Sequence, residues 1–299
     1  MVKGVSMENL TKKAYGKLNL SLDIVGKRSD GYHLVRMIMQ TVNLYDVLEF
    51  TKTKESGIIL TTNRSDLPTN QDNLIYRAAS LLMKNYSIQQ GVRIHLEKHI
   101  PVAAGMAGGS ADCAATLSGI NTLFSLGLST EDLMKFGTSL GADVPYCLLG
   151  GTALSEGIGE ILTPLPDVPS CKVLLIKPDI DISTKWVYTT LDWKSLTLHP
   201  DVDGMIANLH TKNLTGITSK LSNVLETVTI PAHPIIQEIK ETMLELGADN
   251  SLMSGSGPTV FGLYSDKILV QSAYQQCITR YPKYQIELVD FVNRQVIQE

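Results

Sequence analysis

From Pro101 to Ser110 the chain reads Pro-Val-Ala-Ala-Gly-Met-Ala-Gly-Gly-Ser. Gly105, Gly108 and Gly109 let the backbone approach a ligand closely and adopt dihedrals that other residues avoid. An alternating run, Val92–Glu97, precedes the segment, and apolar residues at helical spacing follow it (Cys113, Leu117, Ile120, Phe124). The segment therefore joins a strand to a helix N-terminus, where unpaired N–H groups and the positive end of the helix dipole bind phosphate. Two better-known glycine loops do not fit. The P-loop requires Lys and then Ser or Thr after its last glycine, and Ser110-Ala111 stands here; the GxGxxG pattern fails because Met106-Ala107-Gly108 follows Gly105. On the glycines alone, a tight turn into a packed helix is the competing reading.

The elements around this loop can be read from periodicity. Lys17–Ile24 alternates strictly, which predicts a half-buried strand with Leu18, Leu20, Leu22 and Ile24 inward and Lys17, Asn19, Ser21 and Asp23 outward. Strands are expected at Val47–Thr53, Lys172–Lys177, Asn250–Met253, Val260–Tyr264 and Tyr284–Val289. Helices are expected at Asp72–Tyr86, from Ser110, from a cap at Ser129 or Thr130 to near Gly141, and at Thr184–Leu191, Leu214–Val228, Pro234–Leu246 and Lys267–Arg280. A second glycine turn, Ser254-Gly-Ser-Gly257, joins two of the strands. Mixed strands and helices in both halves indicate an α+β protein of two lobes, with the seam in the proline-rich stretch between Gly159 and Ser170.

The 299 residues carry a net charge of -4, and 43% are hydrophobic, the profile of a globular enzyme. The mild acidity argues against a nucleic-acid partner. No run approaches the ~20 apolar residues of a membrane span, and Met1–Lys17 has no apolar signal core. Met7 is a second candidate start, with Met1–Ser6 as an upstream extension. Cys113, Cys147, Cys171 and Cys277 are far apart in apolar surroundings, as expected of buried free thiols in a reducing cytoplasm rather than a zinc site. His95, His99, His199, His210 and His233 show no ligand spacing.

Pro101-x-x-x-Gly105-Met106-Ala107-Gly108-Gly109-Ser110 resembles the phosphate loop of the GHMP kinases, the group of galactokinase, homoserine kinase and mevalonate kinase. Ala14-Tyr15-Gly16-Lys17-Leu18-Asn19-Leu20 is similar to the family's first motif. Ser254-Gly255-Ser256-Gly257-Pro258-Thr259-Val260-Phe261 is similar to its third, which buttresses the loop. Within the family, Gly26-Lys27-Arg28-Ser29-Asp30-Gly31-Tyr32-His33, Gln40-Thr41-Val42, Leu44-Tyr45-Asp46 and Leu140-Gly141-Ala142-Asp143-Val144-Pro145 resemble one branch. That branch phosphorylates the 2-hydroxyl of a cytidine-diphosphate-linked methylerythritol in the non-mevalonate route to isoprenoids. Val102-Ala103-Ala104 stands where many members carry more glycine; alanine keeps the N–H donors.

The resemblance implies a GHMP kinase fold: an N-terminal lobe like ribosomal protein S5 domain 2 (residues 1–160) and a ferredoxin-like C-terminal lobe (residues 161–299). It implies an ATP-dependent cytoplasmic phosphotransferase without nucleic-acid or membrane partners. ATP would be bound by Pro101, Val102, Ala103, Ala104, Gly105, Met106, Ala107, Gly108, Gly109, Ser110 and Ala111. Asp143 would be the general base and Lys17 would hold it ionised and stabilise charge on the transferring group. Asn19, on the strand face of Lys17, would bond the erythritol part. Tyr32 and His33 match the cytidine-binding pair, and Tyr188 would stack on the base, with Trp186 as its competitor. Mg²⁺ follows from the chemistry of ATP; the residues supply no ligand set beyond Ser110. A homoserine or mevalonate kinase is the alternative within the family, and a nucleotide-binding regulator without catalysis the alternative outside enzymes. The first would leave Tyr32, His33 and Tyr188 without a base to bind; Lys17 together with Asp143 argues against the second.

Overall fold

The computed structural model describes residues Met7–Gln295, so the extension Met1–Ser6 lies outside the described residues. In chain order the elements are β1 (Asn9–Lys27), β2 (His33–Thr53), β3 (Ile58–Thr62), α1 (Leu74–Asn85), β4 (Gly91–Glu97), α2 (Gly108–Leu123), α3 (Thr130–Thr138), α4 (Val144–Leu149), β5 (Thr152–Glu156) and β6 (Ile161–Pro164). They continue with β7 (Lys172–Lys177), α5 (Thr184–Thr190), α6 (Val202–His210), α7 (Leu214–Thr218), β8 (Ser222–Asn223), α8 (Glu226–Ala232), α9 (Ile235–Glu245), β9 (Asn250–Met253), β10 (Val260–Tyr264), α10 (Lys267–Arg280) and β11 (Gln285–Asp290). Two compact units result, each assembled from separate stretches of chain. One takes the described residues up to Gly16 with Leu44–Ile100 and Ala107–Leu149; the other takes Lys17–Asn43, Pro101–Met106 and the described residues from Gly150 on.

In the first unit β4 pairs antiparallel with the later part of β2, from Val47↔Glu97 to Thr53↔Gly91, and parallel with β3. Leu48, Phe50, Ile94 and Leu96 from these strands join Ile75, Ala79 and Leu82 of α1 and Ala114, Leu117 and Ile120 of α2 in one apolar core. Gly119 admits the Phe50 ring against α2: a Cβ there would stand 2.6 Å from Phe50 Cζ. Local chemistry sets the helix starts. The Asn73 side chain accepts from Ile75 N at 2.9 Å, and Ser129 and Asp132 form a reciprocal capping box on α3.

In the second unit the early part of β2 pairs with β5, and β5 with β6. A separate four-stranded sheet has the order β11-β7-β10-β9, antiparallel throughout. With helices between β7 and β9 and between β10 and β11, this is the ferredoxin-like split βαβ arrangement. The apolar run of β7 is buried through Val173–Ile176, as its unbroken hydrophobicity requires.

Three expectations are corrected. Lys17–Ile24 is not half-buried but buried on both faces, because its polar side chains find hydrogen-bond partners: Lys17 Nζ donates to Gly105 O and to Asn19 Oδ1, and Asp23 accepts from His199 Nδ1 at 2.8 Å. Leu214–Val228 is not one helix. It divides into α7 and α8 around β8, which pairs parallel with β1 at Ser21↔Ser222 and Leu22↔Asn223. Asn223 holds the break by donating to Met253 O and Gly255 O, each at 2.8 Å. Finally, α2 begins at Gly108 rather than Ser110, after Ala107 in the left-handed region at φ +56°. None of the four cysteines forms a disulfide; burial pushes the Cys113 and Cys171 thiols up to about 12, so neither reacts readily at neutral pH.

Candidate active site

The period of β1 places Lys17 and Asn19 on one strand face, and both are buried, at 4% and 1% exposure. Lys17 Nζ donates to Asn19 Oδ1 at 2.6 Å and to Gly105 O at 3.0 Å. Ser254 Oγ donates to the same Gly105 carbonyl at 3.0 Å, and Asn19 N reaches Ser254 Oγ at 3.4 Å. The three sequence motifs thus meet at one carbonyl oxygen within the second unit.

Only glycine fits where the two turns touch. Gly105 has φ +70°, and a Cβ there would lie 2.1 Å from Ser254 O; Gly255 has φ +57°, and its Cβ would lie 3.1 Å from Gly105 O. The loop takes further positive φ values at Ala103 (+51°) and Ala107 (+56°), a conformation that costs a residue with a Cβ of order 1 kcal/mol or more.

Pro101–Met106 belong to the second unit, and Ala107–Ala111 with Asp143 to the first. Asp143 is half-buried at the start of α4, where its carbonyl accepts from Cys147 N at 3.1 Å. The turn before it closes through Val144 N to Gly141 O at 3.2 Å. A Cβ on Gly141 would stand 3.8 Å from Ser110 Oγ, so the Asp143 turn and the last hydroxyl of the loop are neighbours.

His33, first residue of β2, is 7% exposed, and its ring lies 5.6 Å from that of Tyr188 on α5, tilted by 46°. Its Nε2 is buried without a hydrogen-bond partner among the described residues. Burial, reinforced by the Lys27 charge, lowers the His33 pKa and keeps the ring neutral. Tyr32 projects into solvent at 60% exposure. Trp186, on the same helix as Tyr188, packs instead edge-on against His233 at 6.1 Å.

Two groupings escaped the motifs. Asp23 pairs with His199, which the strand pattern read only as a polar face. Lys98 is buried between Asp46 and Asp112 directly before and under the helix end of the loop. Asp46 lies within a matched motif, but only the tertiary fold reveals its partners.

The family models agree with this geometry: GHMP kinases N terminal domain matches residues 73–151 and GHMP kinases C terminal matches residues 205–283. The 4-diphosphocytidyl-2-C-methyl-D-erythritol kinase of Lachnoclostridium phytofermentans is 53% identical over 270 residues, 90% of this chain and 93% of that protein. A crystal structure of 4-(cytidine 5'-diphospho)-2C-methyl-D-erythritol kinase superposes with a TM-score of 0.79 at 30% identity, covering 94% of this chain and 99% of that one. Homoserine kinase from Cytophaga hutchinsonii shares the fold, with a TM-score of 0.80 at 20% identity over 98% of this chain and 97% of that one. The chain belongs to the GHMP kinases and, among them, to the 4-diphosphocytidyl-2-C-methyl-D-erythritol kinase family.

Proposed function

We propose that this chain transfers the γ-phosphoryl group of ATP to the 2-hydroxyl of 4-diphosphocytidyl-2-C-methyl-D-erythritol, in the non-mevalonate route to isoprenoids. The observation that carries the substrate class is the His33–Tyr188 pair: an aromatic face beside a buried, neutral imidazole whose Nε2 lacks a partner among the described residues. A cytosine supplies both a flat surface to stack and polar edge atoms to satisfy that nitrogen, whereas homoserine and mevalonate have no flat surface to stack. Tyr32, exposed next to His33 in the chain, is the further partner of the base in this reading.

At the reacting end, Asp143 takes the proton of the 2-hydroxyl as that oxygen attacks phosphorus. Lys17 stabilises the charge that spreads over the transferring oxygens, and its bond to Gly105 O ties it to the phosphate loop. Asn19, fixed by Lys17, orients the erythritol part. The N–H groups of Pro101–Ala111, proline excepted, hold the nucleotide's phosphates. Among the described residues no three His, Cys, Asp or Glu side chains gather as a protein-built metal cage would require. The Ser110 hydroxyl would be the loop's candidate ligand for Mg²⁺, which would supply charge neutralisation for the nucleotide's phosphates. The proposed nucleotide lobe is residues 1–160, and the proposed location is the cytoplasm; among the described residues no helix is long and apolar enough to cross a membrane.

The test is ADP release from ATP and Mg²⁺ with 4-diphosphocytidyl-2-C-methyl-D-erythritol, homoserine or mevalonate. Turnover with the first alone is expected. Turnover with either of the others in its place would retain the family and refute the substrate, and silence on all three would favour a non-catalytic nucleotide binder.

A further inference from the structure

In the first unit, Lys98 is the third residue before Pro101, and its side chain is 4% exposed. Its ammonium donates to Asp46 and, at 2.9 Å, to Asp112 Oδ2. The other Asp46 oxygen accepts from His99 N at 2.6 Å and Ile100 N at 2.8 Å, so one carboxylate fixes the backbone that leads into the loop. Asp112 lies in the second turn of α2, on the other side of the loop. A side chain on Gly108, the first residue of α2, would begin only 2.9 Å from Lys98 Nζ. The glycine therefore makes room for an ammonium against the positive end of the helix.

Two features set this cluster apart from an ordinary internal ion pair. Three buried charges are costly, and such groups are often replaceable by apolar packing without loss of stability. Here they stand directly against Gly108, the first residue of α2, where the loop passes into the helix. In addition, Asp112 Oδ1 is buried without a partner among the described residues, so the cluster is not built to satisfy its own polar atoms. The loop itself lacks the lysine that a P-loop carries after its last glycine.

We propose that Lys98 is a positioning residue of the phosphate loop: clamped by Asp46 and Asp112, it fixes the first turn of α2, from which the loop's last N–H groups project. This rests on the reading of the loop as the ATP site. Lys98 itself is too enclosed to serve as a catalytic residue; it acts through Gly108 and the helix end.

The experiment is steady-state kinetics of the full chain with ATP and the cytidylated alcohol varied in turn. The double variant Lys98→Met with Asp112→Asn removes the ammonium and the charge of the acid paired with it, while Asp46 keeps its two N–H donors. Its KM for ATP is expected to rise about tenfold, with KM for the alcohol within about twofold of wild type. A merely structural cluster would lower the melting temperature and the active fraction but leave KM for ATP unchanged, and that result overturns the proposal. Should the double variant not fold, Asp112→Asn alone decides. Burial, opposed by the charge of Lys98 and aided by that of Asp46, pushes the Asp112 carboxyl up to about 8. At pH 9, where that carboxylate is ionised and clamps Lys98, its loss is expected to raise KM for ATP at least about twofold; an unchanged or lower KM overturns the proposal. A wild type that turns over no ATP refutes instead the reading of the loop on which the proposal stands.

Discussion

At the scale of single residues, the separation of Tyr188 from Trp186 is the sharpest consequence of the structure. Both sit on α5, two positions apart, and sequence spacing alone ranked them only weakly. The packing divides them, since Tyr188 faces His33 and Trp186 faces His233. Tyr188→Ala should raise KM for the cytidylated substrate about tenfold, the worth of one aromatic stack, while Trp186→Ala should change it less than about twofold. Equal effects in substrate titrations would contradict the assignment. His33 carries a pH dependence with a definite sign. Burial, then the Lys27 charge, lowers its folded pKa below the unfolded value near 6.5. The unfolded chain therefore binds the proton first as pH falls, and stability is full above about 6.5 and declines below it. KM for the cytidylated substrate should follow the same course, flat above about 6.5 and rising on acidification as Nε2 loses its lone pair. A His33→Gln variant whose KM shows the same acidic rise would assign the effect to another group.

At the scale of elements, the interlock of the two glycine turns makes a prediction that the loop sequence does not. Gly105→Ala meets both a positive φ and a backbone oxygen at 2.1 Å, neither of which a flexible side chain can relieve. It should cost about 2–3 kcal/mol in denaturant unfolding and raise KM for ATP in the folded fraction. Full stability with normal ATP affinity would show that the turns do not depend on this contact. The same contact marks the limit of what was legible in the sequence. Strands such as Lys172–Lys177 and Val260–Tyr264 and the helix Lys267–Arg280 were readable to the residue, because period and caps are local properties. The break at Ser222–Asn223 was not, since the region reads as one amphipathic stretch and Asn223 interrupts it for bonds to Met253 and Gly255 thirty residues away. The polar face of β1 was misread for the same reason: its partners, Gly105, Ser254 and His199, are distant in sequence. Among the site residues, the Lys17–Gly105–Ser254 contact was foreshadowed by the order of the motifs. Lys98 was not, because an isolated lysine before a proline carries no local sign that two aspartates close over it.

At the scale of the whole molecule, the chain passes between its two compact units several times, and each unit draws on distant segments. Lys17–Asn43 carries Leu18, Leu20, Leu22, Ile24, Ile38 and Met39, all buried, yet it belongs with residues from Gly150 onward. A fragment of residues 1–160 would retain β5 but lack β8 and the Ser254 turn that bond this segment. It should give poorly dispersed amide resonances and bind apolar dye; a cooperative thermal transition would show that the boundary near 160 separates independent folding units. The central claim for the full chain is phosphoryl transfer to the 2-hydroxyl with Asp143 as base. The most direct measurement is ³¹P NMR of the products formed from ATP, Mg²⁺ and 4-diphosphocytidyl-2-C-methyl-D-erythritol by the wild type and by Asp143→Asn. The account predicts a new phosphomonoester on the 2-oxygen with the wild type, and a rate at least about a hundredfold lower with the variant. Product phosphorylated elsewhere, or a variant as fast as the wild type, would contradict it.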